Sequence, residues 1–156
     1  MRITKYDTRL NEDKLPMLVK ENSFNYGKRK IQVTNPNDIY WFFQDVENAE
    51  YLDREYVFLI CMDVKNKILG YFKVSEGTVN TSLVSPREIF IKALAVGATS
   101  IILVHNHPTG DPTPSNEDIN ITKQIKNAGE ILRVDLLDHI ILGERKYYSF
   151  NEGGLL

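Results

Sequence analysis

The stretch of sequence that decides the fold runs from residue 100 to residue 118 and reads SIILVHNHPTGDPTPSNED. After Ser100 come four apolar residues, three of which are β-branched. Such a short run is typical of a strand that is buried on both faces of a sheet. A loop rich in proline follows, and Ser115 is placed to begin a helix. The pattern predicts a buried strand that returns through a loop into a helix.

Upstream of this stretch, helical and strand-like segments alternate. A turn and helix cap at residues 35–38 precede an amphipathic pattern that ends near residue 48. Pro86 suits the first turn of a largely buried helix, which Gly97 is placed to end. Between these helices we expect two antiparallel strands and then a third extended piece, at residues 56–62, 68–74 and 77–83.

Downstream, the helix that begins at Ser115 continues to about residue 128, with Gly129 placed to terminate it. Two further strands are predicted at residues 134–142 and 147–150. Strands and helices therefore alternate over most of the chain. This order predicts an α/β fold with a sheet covered by helices.

The first 35 residues have a different character. They are polar and weakly periodic, they are broken by Pro16 and Gly27, and residues 31–33 are the only strand-like fragment. We therefore predict an extended N-terminal arm over residues 1–35, followed by one domain over residues 36–156.

Composition limits the partners and the compartment. The formal charge of −2 does not indicate a broad basic surface for nucleic acid or anionic membrane. A single cysteine, Cys61, excludes an internal disulfide and any zinc site built on cysteine pairs. The N-terminus does not resemble a signal peptide, and no segment approaches the roughly 20 apolar residues of a membrane span. We expect a cytoplasmic protein without a membrane partner, and exposed edge strands would allow a homodimer.

Three metal-binding side chains follow the buried strand. His105 and His107 are two residues apart, so in an extended backbone both imidazoles point to the same side. The intervening loop, which contains Pro108, Gly110, Pro112 and Pro114, would bring Asp118 back over them. Two histidines and one carboxylate leave the fourth position of a zinc ion open to water, as in catalytic sites, where the pKa of that water falls to about 7.

Other roles are open for two of the neighbouring groups. Ser115 and Asp118 also match a helix capping box, and the serine could cap the helix while it turns its hydroxyl towards the site. His139, which follows Asp138 in a later predicted strand, is isolated in the sequence. For His139 we expect a packed or hydrogen-bonded structural role rather than metal ligation.

The motif His-x-His-Pro followed by Ser-x-x-Asp resembles that of the JAMM metalloproteases, and in particular the RadC-type bacterial family associated with DNA repair. The similarity covers residues from about 36 to 156. Besides the motif, it is carried by the segments SPREIF at 85–90, HNHPTGDP at 105–112 and LLDHIILG at 136–143.

This resemblance implies a fold, an activity and site residues. The fold would be a mixed β-sheet between helices in three layers, similar to that of cytidine deaminases, and the activity would be cleavage of peptide or isopeptide bonds. His105, His107 and Asp118 would hold Zn²⁺, and Ser115 would hydrogen-bond the developing oxyanion. The general base would be a glutamate at the entry to an apolar run, which Glu55 fits best. Its competitors for the role of general base are Glu76 and Glu88.

Two other classes of function are weighed against a zinc metallohydrolase. One is a non-catalytic DNA- or protein-binding module in repair or recombination, although the N-terminal arm has no Gly-rich hairpin like the helix-hairpin-helix segment that RadC-type proteins often carry. The other is a zinc deaminase, which would need a Pro-Cys-x-x-Cys segment that one cysteine cannot provide. The physiological substrate is not predicted by the sequence.

Overall fold

A computed structural model describes residues 2–27, 33–77 and 84–156 of the chain. Apart from Gly77, the extended piece predicted at residues 77–83 lies outside this part. The same holds for residues 31 and 32 of the strand-like fragment predicted near the N-terminus.

The described residues form one seven-stranded sheet and three α-helices. The order of the strands across the sheet is β2-β1-β4-β3-β5-β6-β7. In chain order the elements are β1 (Arg2–Leu10), β2 (Pro16–Asn25), α1 (Pro36–Glu47), a 3₁₀ turn (Ala49–Tyr51), β3 (Glu55–Met62), β4 (Ile68–Gly77), α2 (Pro86–Ala95), β5 (Ser100–Asn106), α3 (Asn116–Leu132), β6 (Asp135–Gly143) and β7 (Lys146–Ser149).

The sheet is mixed, as predicted. Strand β3 runs antiparallel to both β4 and β5, whereas β5 runs parallel to β6, to which α3 connects it. All seven residues of β5 are buried, which agrees with the apolar run seen in its sequence. The strand that carries the first histidine of the motif is therefore an interior strand of the sheet.

The two faces of the sheet are covered by different helices. On one face Phe42 and Phe43 of α1 pack in a core with Phe58, Ile102 and Val104. On the other face α2 and α3 enclose a second core that includes Leu59, Ile89, Leu103 and Ile125. Side chains of one strand alternate between the two faces. The domain has three layers, which confirms the predicted α/β fold class.

The predicted helix starts are present, but one predicted end is wrong. Asn35 caps α1 in a capping box with Asp38, and Ser85 caps α2. Helix α3, in contrast, does not end at Gly129 but continues to Leu132. Gly129 serves another purpose, because a Cβ atom there would lie 2.5 Å from the carbonyl oxygen of Val134. The missing side chain lets the chain after the helix turn back closely against it.

The N-terminal residues differ most from expectation. Within the predicted extended arm, residues 2–25 contain two long antiparallel strands, and β1 joins the sheet by a short parallel contact with β4. At this junction a Cβ atom on Gly70 would lie 2.7 Å from the carbonyl oxygen of Thr4. The strands were missed because they bury few side chains, so their sequence lacks strong hydrophobic alternation; β2 forms the edge of the sheet and β1 lies between β2 and β4.

Within the described part of the chain, every helix is too short or too polar to cross a bilayer.

Candidate metal centre

His105 reaches the site because it continues the alternation of β5. Ile101 and Leu103 point into the core beneath α2 and α3, so the imidazole of His105 projects to the same face. Its backbone pairs with Val57 of β3 on one side and with Ile141 of β6 on the other. The side chain is almost fully buried, with 2% of its residue surface exposed.

The loop after β5 is held against the turn between β6 and β7. The amide of His107 donates to the carbonyl of Leu142 (2.9 Å), and the amide of Glu144 donates to the carbonyl of Gly110 (2.9 Å). A Cβ atom on Gly143 would lie 2.5 Å from that same Gly110 oxygen. Close backbone packing thus fixes the return path that the prolines and Gly110 suggested.

Asp118 is placed by the N-terminal cap of α3. Ser115 accepts a hydrogen bond from the amide of Asp118 (3.1 Å), and its amide and hydroxyl both donate to Asp118 Oδ2 (2.8 and 2.7 Å). The capping box weighed in the sequence is therefore present. It also orients the carboxylate, because Asp118 Oδ1 lies 3.3 Å from His105 Nε2 and Oδ2 lies 3.7 Å from His107 Nε2.

The structure brings four of the predicted site residues together. Ligand atoms of Glu55, His105, His107 and Asp118 all lie within 4.8 Å of one another. Glu55 is present because β3 and β5 are antiparallel, with Val57 opposite His105. Continuing this register by two residues places Glu55 across from His107.

The two competing glutamates lie elsewhere. Glu76, in β4, forms ion pairs with Arg54 (3.2 Å) and Lys73 (2.9 Å). Glu88 sits in the first turn of α2 beside Arg87, and half of its side chain is exposed. Within the described residues, Glu55 is the one of these three glutamates that joins the group.

Asn106, which the sequence analysis did not single out, holds the backbone around Glu55. Its side-chain oxygen accepts from the amide of Tyr56 (2.9 Å), and its side-chain nitrogen donates to the carbonyl of Arg54 (2.8 Å). The residue is 2% exposed. The amide therefore replaces main-chain pairing at the point where β3 begins, on both sides of Glu55.

Replacing Asn106 by alanine should lower the stability of the protein. The Tyr56 amide and Arg54 carbonyl would lose their partner, which costs about 1–3 kcal/mol when such groups stay buried. For a domain of this size the melting temperature should fall by about 2–10 °C, as measured by circular dichroism. Asn120→Ala, on the exposed face of α3, is the control and should change it little. We call the two hydrogen bonds of Asn106 to Tyr56 and Arg54 the Asn106 clamp. An Asn106→Ala protein with the same melting temperature as the wild type would contradict this role.

The carboxylate and one imidazole perturb each other. Burial acts to raise the pKa of Asp118, but the imidazoles of His105 and His107 beside the carboxylate outweigh it and hold the pKa well below its usual range. Burial opposes a rise in the pKa of His107, yet Asp118 and the Asp111 carbonyl raise it above the ordinary value. Asp118 is thus a carboxylate at neutral pH, the form in which it can bind a cation.

The donor atoms fit a divalent metal. His107 Nδ1 donates to the carbonyl of Asp111 (2.7 Å), so Nε2 of the neutral ring carries a lone pair. It lies 3.0 Å from His105 Nε2. Zn–N bonds of 2.0–2.1 Å in a tetrahedron separate two nitrogens by about 3.3 Å. Two imidazoles and a carboxylate, already this close together, match the ligand set expected from the sequence.

His139 has the hydrogen-bonded role that was expected of it, but its partner was not foreseen. Its Nε2 atom lies 2.8 Å from His105 Nδ1, and its Nδ1 atom lies 2.6 Å from Thr122 Oγ1. The ring stacks on Phe150 with centroids 4.7 Å apart. No sequence spacing indicates this contact, because it depends on the parallel register that sets β6 beside β5.

The fold and the site together define a class: a three-layer α/β domain with a candidate metal-binding group of His, His, Asp and Glu at the end of an interior strand. The chain belongs to the RadC-like JAB domain family, whose model matches residues 33–155.

Several bacterial proteins are similar over most of this chain, and all three named here carry the name UPF0758 protein. The one from Pelobacter propionicus is 48% identical over 124 residues, which cover 79% of this chain and 53% of the relative. The Clostridium botulinum protein is 44% identical over 134 residues, which cover 86% of this chain and 58% of the relative. The Aquifex aeolicus protein is 41% identical over 133 residues, which cover 85% of this chain and 56% of the relative. The chain thus spans about half the length of these relatives.

Proposed function

We propose that this chain is a zinc-dependent metallohydrolase that cleaves peptide or isopeptide bonds. The observation that carries the proposal is the convergence of Glu55, His105, His107 and Asp118 within 4.8 Å. Three of these groups would supply the two imidazoles and one carboxylate that catalytic zinc sites use, and the fourth is a further carboxylate close to them. Membership of the RadC-like JAB domain family supports the same reading.

Each residue has a separate role in this proposal. His105, His107 and Asp118 would hold the cation, which when bound supplies Lewis-acid polarisation of a carbonyl and a water that is nucleophilic near neutral pH. Glu55 accepts the proton of the attacking water and returns it to the leaving amine. Ser115 would donate to the developing oxyanion. This requires its hydroxyl, which here donates to Asp118 Oδ2, to turn towards the substrate.

Asn106 supports the role of Glu55. The clamp on the Arg54 carbonyl and Tyr56 amide fixes the backbone on both sides of the glutamate. A base held by packed strands loses little entropy when the substrate arrives. Among the described residues Glu55 is only half-buried, so part of its side chain is accessible to a substrate.

The proposal is tested by incubating zinc-loaded protein with a panel of linear peptides and peptides joined through a lysine side chain. Mass spectrometry should detect new amines from at least one linkage class, and a chelator should stop their release. Asp118→Ala is the matched inactive variant. Cleavage that persists after chelation, or at the wild-type rate in Asp118→Ala, would contradict the proposal, and so would a panel left intact by protein shown to hold zinc.

A further inference from the structure

A series of short hydrogen bonds begins at Nδ1 of His105, the ring nitrogen that faces away from Asp118 and His107. His105 Nδ1 lies 2.8 Å from His139 Nε2, and His139 Nδ1 lies 2.6 Å from Thr122 Oγ1. Thr122 Oγ1 in turn lies 2.6 Å from the main-chain oxygen of Asp118. His105, Thr122 and His139 are each at most 2% exposed, so no water competes for these groups. This series of hydrogen bonds ends at Asp118, the residue whose carboxylate faces His105.

The direction of these hydrogen bonds follows from counting protons. Each of the two contacts of Thr122 Oγ1 is so short that it needs a hydrogen between the heavy atoms. A hydroxyl has one hydrogen and a carbonyl has none, so the hydroxyl donates to Asp118. The hydrogen in the second contact must then belong to His139. His139 therefore carries its proton on Nδ1.

The same count fixes His105. Among the described residues the ring of His139 contacts Thr122, His105 and Phe150 but no carboxylate, so a charged ring would be buried without a counter-ion. The neutral ring with its proton on Nδ1 has a bare Nε2, which can only accept. The donor in the 2.8 Å contact is thus Nδ1–H of His105. In the neutral His105 ring the lone pair is then on Nε2, the atom that lies near Asp118 and His107.

We propose that His139, oriented by Thr122, is a positioning residue that keeps the proton of His105 on Nδ1 and leaves Nε2 ready for the metal. The consequence for metal affinity rests on the metal centre of the proposed function, whereas the protonation pattern is a property of the metal-free protein. Metal-binding histidines commonly donate their second nitrogen to a carboxylate or a carbonyl. Here another imidazole takes that place, and the helix that carries Asp118 sets its direction.

The first test needs no variant. Nitrogen-15 NMR of the imidazoles, recorded on metal-free wild-type protein above the ordinary histidine pKa of about 6.5, should show His105 and His139 protonated on Nδ1. The rings can be assigned through one-residue variants or side-chain correlations. Protonation of His105 on Nε2 would overturn the proposal.

The second test removes the group that sets the direction. In Thr122→Val the His139 Nδ1 proton has no acceptor in the hydroxyl position, so both rings should shift towards protonation on Nε2. Zinc affinity, measured by competition with a chromophoric chelator, should then fall by about 10–100-fold. Thr122→Ser keeps the hydroxyl and should retain the wild-type affinity and proton positions. Thr122→Val with unchanged proton positions and unchanged affinity would also overturn the proposal.

The two readouts separate this inference from the proposed function. A wild-type protein with the expected protonation that binds no zinc would contradict the metallohydrolase and leave the assignment of His139 in place. A protein that binds zinc tightly with His105 protonated on Nε2 before loading would do the reverse.

Discussion

His107→Ala is expected to abolish stoichiometric zinc binding. The wild type should hold about one zinc per chain, the count expected for a single His, His, Asp site. The variant keeps His105 and Asp118 but lacks the imidazole whose Nε2 lies 3.0 Å from His105 Nε2. Native mass spectrometry and elemental analysis of chains purified side by side measure the difference.

Thermal unfolding provides a second readout of the same loss. Zinc at 100 times its dissociation constant should stabilise the wild type by about 2.7 kcal/mol, which raises the melting temperature of a domain of this size by about 5–10 °C. His107→Ala should show no zinc-dependent rise, whereas Lys123→Ala, exposed on α3, should behave as the wild type. An equal rise in His107→Ala would mean that the ion binds elsewhere.

Glu55→Gln is expected to remove hydrolysis without removing the metal. The amide has nearly the same shape as the carboxylate but cannot take up a proton, and loss of a general base lowers the rate by about 10²–10⁴-fold. The cation is expected to stay because His105, His107 and Asp118 are unchanged. The measurements are the turnover of whichever linkage the wild type cleaves and the zinc content of the same samples.

Two glutamates of this chain provide matched controls for that experiment. Glu76→Gln alters a carboxylate held by Arg54 and Lys73, and Glu88→Gln alters one in the first turn of α2. Both variants should keep activity within a few-fold of the wild type. Full activity in Glu55→Gln, or a deep loss in Glu76→Gln with Glu55→Gln unaffected, would show that the base has been assigned wrongly.

The parts of the fold that depend on local patterns could be predicted from sequence. The apolar run before His105 indicated an interior strand, and residues 35–38, Pro86 and Ser115 indicated the starts of the three helices. These features could be predicted because each is determined by residues that are only a few positions apart in the sequence. Spacing alone likewise placed His105 and His107 on one side of an extended chain.

The parts of the fold and site that depend on the register between distant strands could not be predicted from the sequence. Whether Glu55, Glu76 or Glu88 joins the histidines is decided by the pairing of β3 with β5, in which Val57 lies opposite His105, 48 positions further along the sequence. The contact of His139 with His105 depends in the same way on β5 and β6. Gly129 was misread because its role is a close approach to Val134, which no local pattern reveals.

The tripeptide His105-Asn106-His107 serves both faces of the sheet at once. The histidines face α3, and the asparagine between them ties down the backbone at the start of β3. Inserting one residue between His105 and Asn106 would reverse the sides of the two residues that follow, so that the Asn106 amide would point to the side of His105 and the His107 imidazole to the opposite side. Transplanting the histidine pair into another protein would accordingly require a neighbouring antiparallel strand in the same register, since the carboxylate of Glu55 comes from that strand and not from the motif.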